Sequence, residues 1–171
     1  MSRNIQKEEK IIHPFPPIFD AESRILILGS FPSVKSREQK FYYGHPRNRF
    51  WSVTSAVFSE EVPGTVDEKK QFLRRNHIAV WDVIHSCRIT GSSDASIRDV
   101  KVNDITPLLC QSQIGSRIYT NGAAAWNLYR KYIRTDPDIP DAVKLPSTSP
   151  ANAAWSLERL IEAWKIIRSP V

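Results

Sequence analysis

Two clusters of residues in this chain combine types and spacings that could do chemistry. The first holds Gly29, Ser30, Phe31, Pro32 and Ser33, and continues through Phe41, Tyr42, Tyr43, Gly44, His45, Pro46, Arg47 and Asn48. A glycine and a serine ahead of Pro32 and Ser33 leave backbone amides and hydroxyls able to donate to a carbonyl or phosphate oxygen. The same residues also make an ordinary strand-to-helix turn. Three consecutive aromatic rings in a loop either pack beneath it or offer a stacking platform for a nucleobase, worth about 1–3 kcal/mol per base in single-strand binders. Asn48 stands just before an apolar helical pattern. It reads either as a helix cap or as an amide that orients a water or holds a base edge. The second cluster runs from Pro146 to Asn152, with Ser147 and Ser149 hydroxyls suited to phosphate oxygens and prolines that stiffen the loop. Its plainer reading is a strand-to-helix connection capped by Asn152. His13 and His77 have no visible partner in the sequence and read as structural, and His85 reads as a loop brace.

These clusters need a scaffold, and the apolar pattern supplies one. Residues 24–30 form a short apolar run ending in glycine, the mark of a buried parallel strand. Residues 78–83, 117–120 and 142–145 read as three further strands. Helical spacing covers residues 49–58, 68–75, 105–110 (with Asn103 as cap), 123–133 and 153–167. Trp126, Tyr129 and Tyr132, with Trp155 and Trp164, fall at spacings that suit packing. Alternation of strands and helices predicts an α/β fold: one domain, three layers α/β/α, around a central, mostly parallel four-stranded sheet. In such sheets the ligand sits beyond the carboxyl ends of the strands. That rule selects four loops, residues 29–48, 81–93, 121–122 and 146–152, which contain both clusters. The first 22 residues lack periodicity and carry Pro14, Pro16 and Pro17, so they read as an N-terminal arm lying across a domain of residues 23–171.

Composition narrows the function classes. A chain of 171 residues with 41% hydrophobic and 25% charged residues suits one folded domain with one core. No stretch approaches the ~20 apolar residues of a membrane span, and the charged, proline-rich start does not resemble a signal peptide. A soluble, intracellular protein is the expectation. The two cysteines, Cys87 and Cys110, cannot build a metal cluster and read as reduced, partly buried residues. A net charge of +6 favours a polyanionic partner without naming it.

At superfamily level the motifs are specific. Residues 45–51 (His45, Pro46, Arg47, Asn48, Arg49, Phe50, Trp51), a short distance after the strand-end Gly29 and Pro32, resemble the mismatch-specific uracil/thymine-DNA glycosylases. The fuller pattern of Gly29, Ser30, Pro32 and Ser33 with Tyr42 to Asn48 is more similar to the hypoxanthine-DNA glycosylase branch of the uracil-DNA glycosylase superfamily. Residues 147–152 resemble the second superfamily motif, and the likeness extends from about Arg24 to the C-terminal helix.

The resemblance implies a monofunctional DNA glycosylase of base excision repair. Such an enzyme flips a deaminated base, here hypoxanthine, out of DNA and hydrolyses its N-glycosidic bond, leaving an abasic site without strand cleavage and without metal or cofactor. It implies Asn48 as the catalytic amide, with Gly29, Ser30, Phe31, Pro32, Tyr43 and Asp82 around the base; Tyr43 would stack on it. Ser33, Arg47, Ser147, Ser149, Pro150 and Asn152 would contact DNA, and Lys35, Arg37 and Arg49 would join Arg47 on phosphates. Asp82 stands where relatives carry a base-reading amide; its carboxylate would accept from the N1–H of hypoxanthine, or else brace a loop. Two departures bear on substrate. Phe31 occupies the place where many members hold a water-positioning Asp or Asn, and Ser147 the place of an electrophilic His, so uracil excision should be feeble. The partner implied is double-stranded, or else single-stranded, DNA carrying a deaminated base. A monomer in the cytoplasm, near the nucleoid in a prokaryote, is expected, with no membrane role. The alternatives are a mismatch-specific uracil or xanthine glycosylase, a catalytically dead DNA-binding module of the same fold, and an α/β enzyme acting on free nucleosides. The missing Gly-rich phosphate fingerprints stand against the last.

Overall fold

The computed structural model describes residues 5–168. Its centre is a four-stranded parallel sheet in the order β3-β2-β6-β7, built from β2 (Ile25–Gly29), β3 (Ile78–Asp82), β6 (Ile118–Asn121) and β7 (Val143–Leu145). The side chains of β2 alternate between the two faces, as strand geometry requires. Ile25 and Ile27 enter one core with Phe50, Val53, Phe72, Leu160 and Trp164. Leu26 and Leu28 enter a second core with Ala79, Leu108, Ile118, Tyr129 and Ile133.

The first core is covered by α2 (Phe50–Val57), α3 (Val66–Arg75) and α6 (Leu157–Trp164). The second is covered by α4 (Thr106–Cys110) and by α5 (Ala123–Leu128), which continues as a π-helical turn over Tyr129–Ile133. The three-layer arrangement and the four parallel strands agree with the pattern of the sequence. A reciprocal capping box of Thr65 and Glu68 starts α3 two residues before the pattern placed it.

Three features depart from the sequence reading. The first is a second sheet, antiparallel, in the order β1-β4-β5, formed by β1 (Glu8–Ile12), β4 (Ile84–Thr90) and β5 (Arg98–Val102). Part of the segment expected to be a site loop (residues 81–93) is therefore a strand, and part of the segment read as an arm is its partner, with Ile11 opposite Cys87. β4 follows β3 after the single residue Val83, so the chain passes directly from one sheet to the other.

The second departure is α1 (Val34–Gln39), which begins within the first motif. Ser33 caps it, accepting from the Ser36 N–H at 3.2 Å. The third concerns caps and cysteines. Asn103 is buried and does not cap α4; its Nδ2 donates to the carbonyls of Asp82 and Ile84 at 2.9 and 3.2 Å, pinning the junction of the two sheets. Asn152 does not cap the last helix, whose N-cap is Ser156. Cys87 is buried and Cys110 exposed, and both are free.

Candidate active site

The carboxyl ends of three strands converge on one cleft. Gly29 ends β2, Asp82 ends β3 beside it in register, and Asn121 ends β6. The cavity above them has a volume of about 300 Å³. Every base-pocket residue expected from the sequence lines it: Gly29, Ser30, Phe31, Pro32, Tyr43 and Asp82. So do Asn48, Ser33, Ser147, Ser149 and Pro150. Arg47 is exposed and outside this lining, and Asn152 lines a neighbouring cleft with Lys144, Pro146 and Trp155. Two loops about a hundred residues apart in sequence thus form walls of one pocket.

The three aromatic rings of the first motif divide as a loop over a core must divide them. Phe41 and Tyr42 are buried, and the Tyr42 hydroxyl donates to the Pro16 carbonyl at 2.9 Å. Tyr43, held in a left-handed backbone conformation (φ 52°), stacks on Phe50 with ring centroids 3.9 Å apart and planes 15° apart. Its hydroxyl is buried and, among the described residues, meets no hydrogen-bond partner of good geometry. Burial, reinforced by the Asp82 carboxylate and opposed by Asn121, pushes this phenol far above its ordinary range, so it stays a neutral hydroxyl at any working pH.

Asn48 is held by a buried relay. Its Oδ1 accepts from the Phe50 N–H at 2.9 Å and from the Thr148 hydroxyl at 2.8 Å. Thr148, fully buried, in turn accepts from Asn121 Nδ2 at 2.9 Å and donates its own N–H to Asn121 Oδ1 at 3.0 Å. Because a backbone N–H can only donate, the oxygen of the Asn48 amide must face Phe50, which fixes which way the amide lies. The oxygen is committed twice, and the NH₂ group is what this side chain has left to offer a ligand. The N-cap position of α2 is Arg49, so Asn48 stands one residue before the cap expected of it. The oxygen staples the start of α2 while the same bonds orient the nitrogen.

Arg49 departs from the role expected of it. Its guanidinium turns inward across the second motif and donates to the carbonyls of Trp155, Asn152 (3.0 Å) and Ser149 (3.4 Å). It clamps the two motifs together and has few donors left for phosphate. Arg37 likewise donates to the Gly91 carbonyl at 3.1 Å and lies over the Phe31 ring, and Lys35 pairs with Glu38 at 3.4 Å. In the second motif, the Ser147 and Ser149 hydroxyls accept from the Ser149 and Ala151 N–H groups, leaving each O–H free to donate.

Phe31 packs against the apolar cluster of the second sheet (Ile84, Cys87, Ile89), so its ring anchors the loop. Ser30 donates to Asp94 Oδ1 at 2.8 Å, and Ser92 accepts from the Val34 N–H, so the turn after β4 closes over the first motif. Burial raises the Asp94 carboxyl, the Ser30 hydroxyl lowers it, and the Asp82 charge adds to the rise. His85 contacts Asn103 through Nδ1 at 3.3 Å, in keeping with a bracing role.

Sequence reasoning missed three residues here. Asn121 sits at a strand end that the topology rule had selected, and its type was the only further signal. Thr148 lay within a recognised motif but gave no sign that its hydroxyl would be the buried link. His13, read as structural and partnerless, is bound to Asp82 across 69 residues of sequence, with Nε2 2.7 Å from Oδ2. Among the described residues no cluster of histidine, cysteine and carboxylate side chains could hold a metal ion, and no helix is long and apolar enough to cross a membrane.

The profile of the Uracil DNA glycosylase superfamily matches residues 16–168, nearly the whole chain and both walls of the cleft. The chain belongs to that superfamily. Within it, a Methanosarcina acetivorans protein named hypoxanthine DNA glycosylase is 34% identical over 154 residues, which is 90% of this chain and 95% of that one. A protein of the same name from Methanosarcina barkeri is 36% identical over 95 residues, 55% of this chain, and the match spans 60% of the relative's length. The fold agrees with the solution NMR structure of a Methanosarcina acetivorans protein described as a uracil DNA glycosylase. That match has a TM-score of 0.72 at 29% identity and covers 93% of this chain and 100% of the other.

Gly29 gives a sharp test of the cleft. A Cβ placed there would lie 2.4 Å from Asp82 Oδ1 and 3.3 Å from the Tyr43 hydroxyl. Gly29→Ala must therefore displace the Asp82 carboxylate. It is expected to cost about 1–3 kcal/mol of stability through overpacking and to lower any activity of the cleft at least about tenfold. Denaturant titration and single-turnover assay of the same preparation would check both.

Proposed function

We propose that this superfamily member is a monofunctional DNA glycosylase that excises deaminated purine, hypoxanthine first, from DNA. The single observation that carries the reading is that Asp82 and Asn48 line the same cleft. One presents a carboxylate oxygen, Oδ1, with no hydrogen-bond partner among the described residues, and the other an amide whose oxygen is already engaged. An acceptor and a donor in one cleft suit a lactam edge. The N1–H of hypoxanthine would donate to Asp82 Oδ1, while Asn48 Nδ2 would donate to an acceptor on the base. The hypoxanthine DNA glycosylase names of the relatives support the same choice.

The chemistry follows from these positions. The nucleotide flips out of the stack at a cost of a few kcal/mol, least for a poorly paired base, and its ring enters the cleft against Tyr43. The bond from base nitrogen to C1′ breaks with its electron pair going to the base. Asn48 Nδ2–H stabilises that charge, as preorganised donors do at a developing anion. A water adds its oxygen to C1′ and its proton ends on the base, giving free hypoxanthine and an abasic site. Among the described residues, none lining the cleft carries an amine to form the imine that strand cleavage requires. The hydroxyls of Ser147 and Ser149 and the exposed Arg47 would hold flanking phosphates, with binding that weakens as salt rises. Phe31, packed against the second sheet, leaves no side chain to position water from its place, which disfavours uracil. The protein is proposed to act as a monomer on duplex DNA.

The test uses labelled duplexes carrying hypoxanthine, xanthine or uracil, with free inosine alongside. The proposal expects release from the hypoxanthine duplex ahead of uracil, strand scission only after alkali, and no release from the nucleoside. Duplex binding with no release of any of the three bases would instead favour a binding module of the same fold.

A further inference from the structure

The His13–Asp82 pair is more than packing. Both side chains are nearly sealed from solvent, at 3% and 5% exposure, and the chain brings them together by running β1 along β4, with the His13 N–H donating to the His85 carbonyl at 2.7 Å. His13 Nδ1 lies 2.8 Å from the Phe15 carbonyl, an acceptor only, so Nδ1 carries a proton. Nε2, 2.7 Å from Asp82 Oδ2, must then share a second proton with that oxygen. Whether this proton sits on nitrogen or on oxygen, the pair as a whole is neutral. The rings of Phe15, Phe31 and Tyr42 surround the imidazole, at centroid distances of 4.7, 6.0 and 6.1 Å, and hold it in place.

We propose that His13 is a positioning residue for base excision: it holds Asp82 Oδ2 so that Oδ1 faces the flipped base, and it supplies the proton that cancels the carboxylate charge. This rests on the reading that the cleft expels a lactam base as an anion. A bare carboxylate beside that departing charge would oppose the reaction, because like charges in a closed site repel strongly. Paired with His13, Asp82 reads an N–H without that penalty. The N-terminal segment is in this way part of the site.

The test is a double-mutant cycle in the full chain, with single-turnover release of hypoxanthine from duplex DNA as the readout and thermal melting run on each protein. His13→Ala should slow release by roughly 10- to 100-fold, the range for groups that orient a reacting side chain, with duplex affinity little changed. His13→Ala/Asp82→Asn should recover much of that loss relative to His13→Ala alone, since a neutral amide needs no counter-proton. A purely structural histidine would not be rescued in this way. Equal cost of His13→Ala in both backgrounds, or no cost at all, overturns the inference while leaving the glycosylase reading intact. A wild-type protein that melts cooperatively and releases no base overturns the reading itself, and this inference falls with it.

Discussion

Replacing Asn48 by alanine is expected to slow base release by about 10²–10³-fold, the loss seen when one preorganised donor is removed from a developing anion. The more informative substitution is Asn48→Asp. A carboxylate can still accept from the Phe50 N–H and the Thr148 hydroxyl, so the relay through Asn121 survives. It puts an oxygen where the amide nitrogen was. If Asn48 works by donating to the base, Asn48→Asp is as poor as Asn48→Ala. If it worked by accepting a proton from water, the aspartate would match or exceed the wild type. The geometry, with Oδ1 committed twice, predicts the first outcome.

The second large effect is expected at Arg49, where both activity and stability are at stake. Arg49→Ala strips the donor from the carbonyls of Ser149, Asn152 and Trp155 at once. Hydrogen bonds to charged groups contribute about 1.5–3 kcal/mol each, with losses that do not add fully, so a loss of about 2–4 kcal/mol in all is expected. For a domain of this size that lowers the melting temperature by roughly 5–15 °C. The loop of residues 146–152 carries Thr148, and Arg49 N–H also donates to the Thr148 carbonyl at 3.0 Å. Loosening the loop should therefore cost excision even at temperatures where the protein is folded. Arg49→Lys should rescue neither property, because one ammonium cannot reach three carbonyls that a planar fork spans. Melting curves and single-turnover rates of both variants check this. A lysine variant that behaves like wild type would mean the arginine acts only as a positive charge.

The parallel sheet was legible chiefly through its central strand, ILILG over Ile25–Gly29, which is buried throughout, and through the apolar run of β3, whereas β7 is the short, mostly exposed VKL. The helices over them followed from apolar spacing. The antiparallel sheet was not legible. β4 reads IHSCRIT, a half-buried strand whose register with β5 shifts at two points, so its alternation is broken. β1 is EEKII, exposed along most of its length, and only its partner makes it a strand. The same contrast holds for the site. Gly29, Tyr43, Asn48 and Asp82 announced themselves through strand ends and motif resemblance, and all of them line the cavity. Arg49 was assigned to phosphate because it is basic and close to the motif, but charge does not say which way a guanidinium points. His13 gave no signal at all, because its partner lies at the end of a strand in another sheet.

The central claim is that this cleft releases a deaminated purine from DNA, and mass analysis of the products of a hypoxanthine-containing duplex tests it most directly. The account predicts free hypoxanthine, an unbroken strand bearing an abasic site, and loss of both products with Asn48→Ala. An unchanged duplex after exposure to a folded wild-type protein, or base release that persists at the wild-type rate in Asn48→Ala, would contradict it.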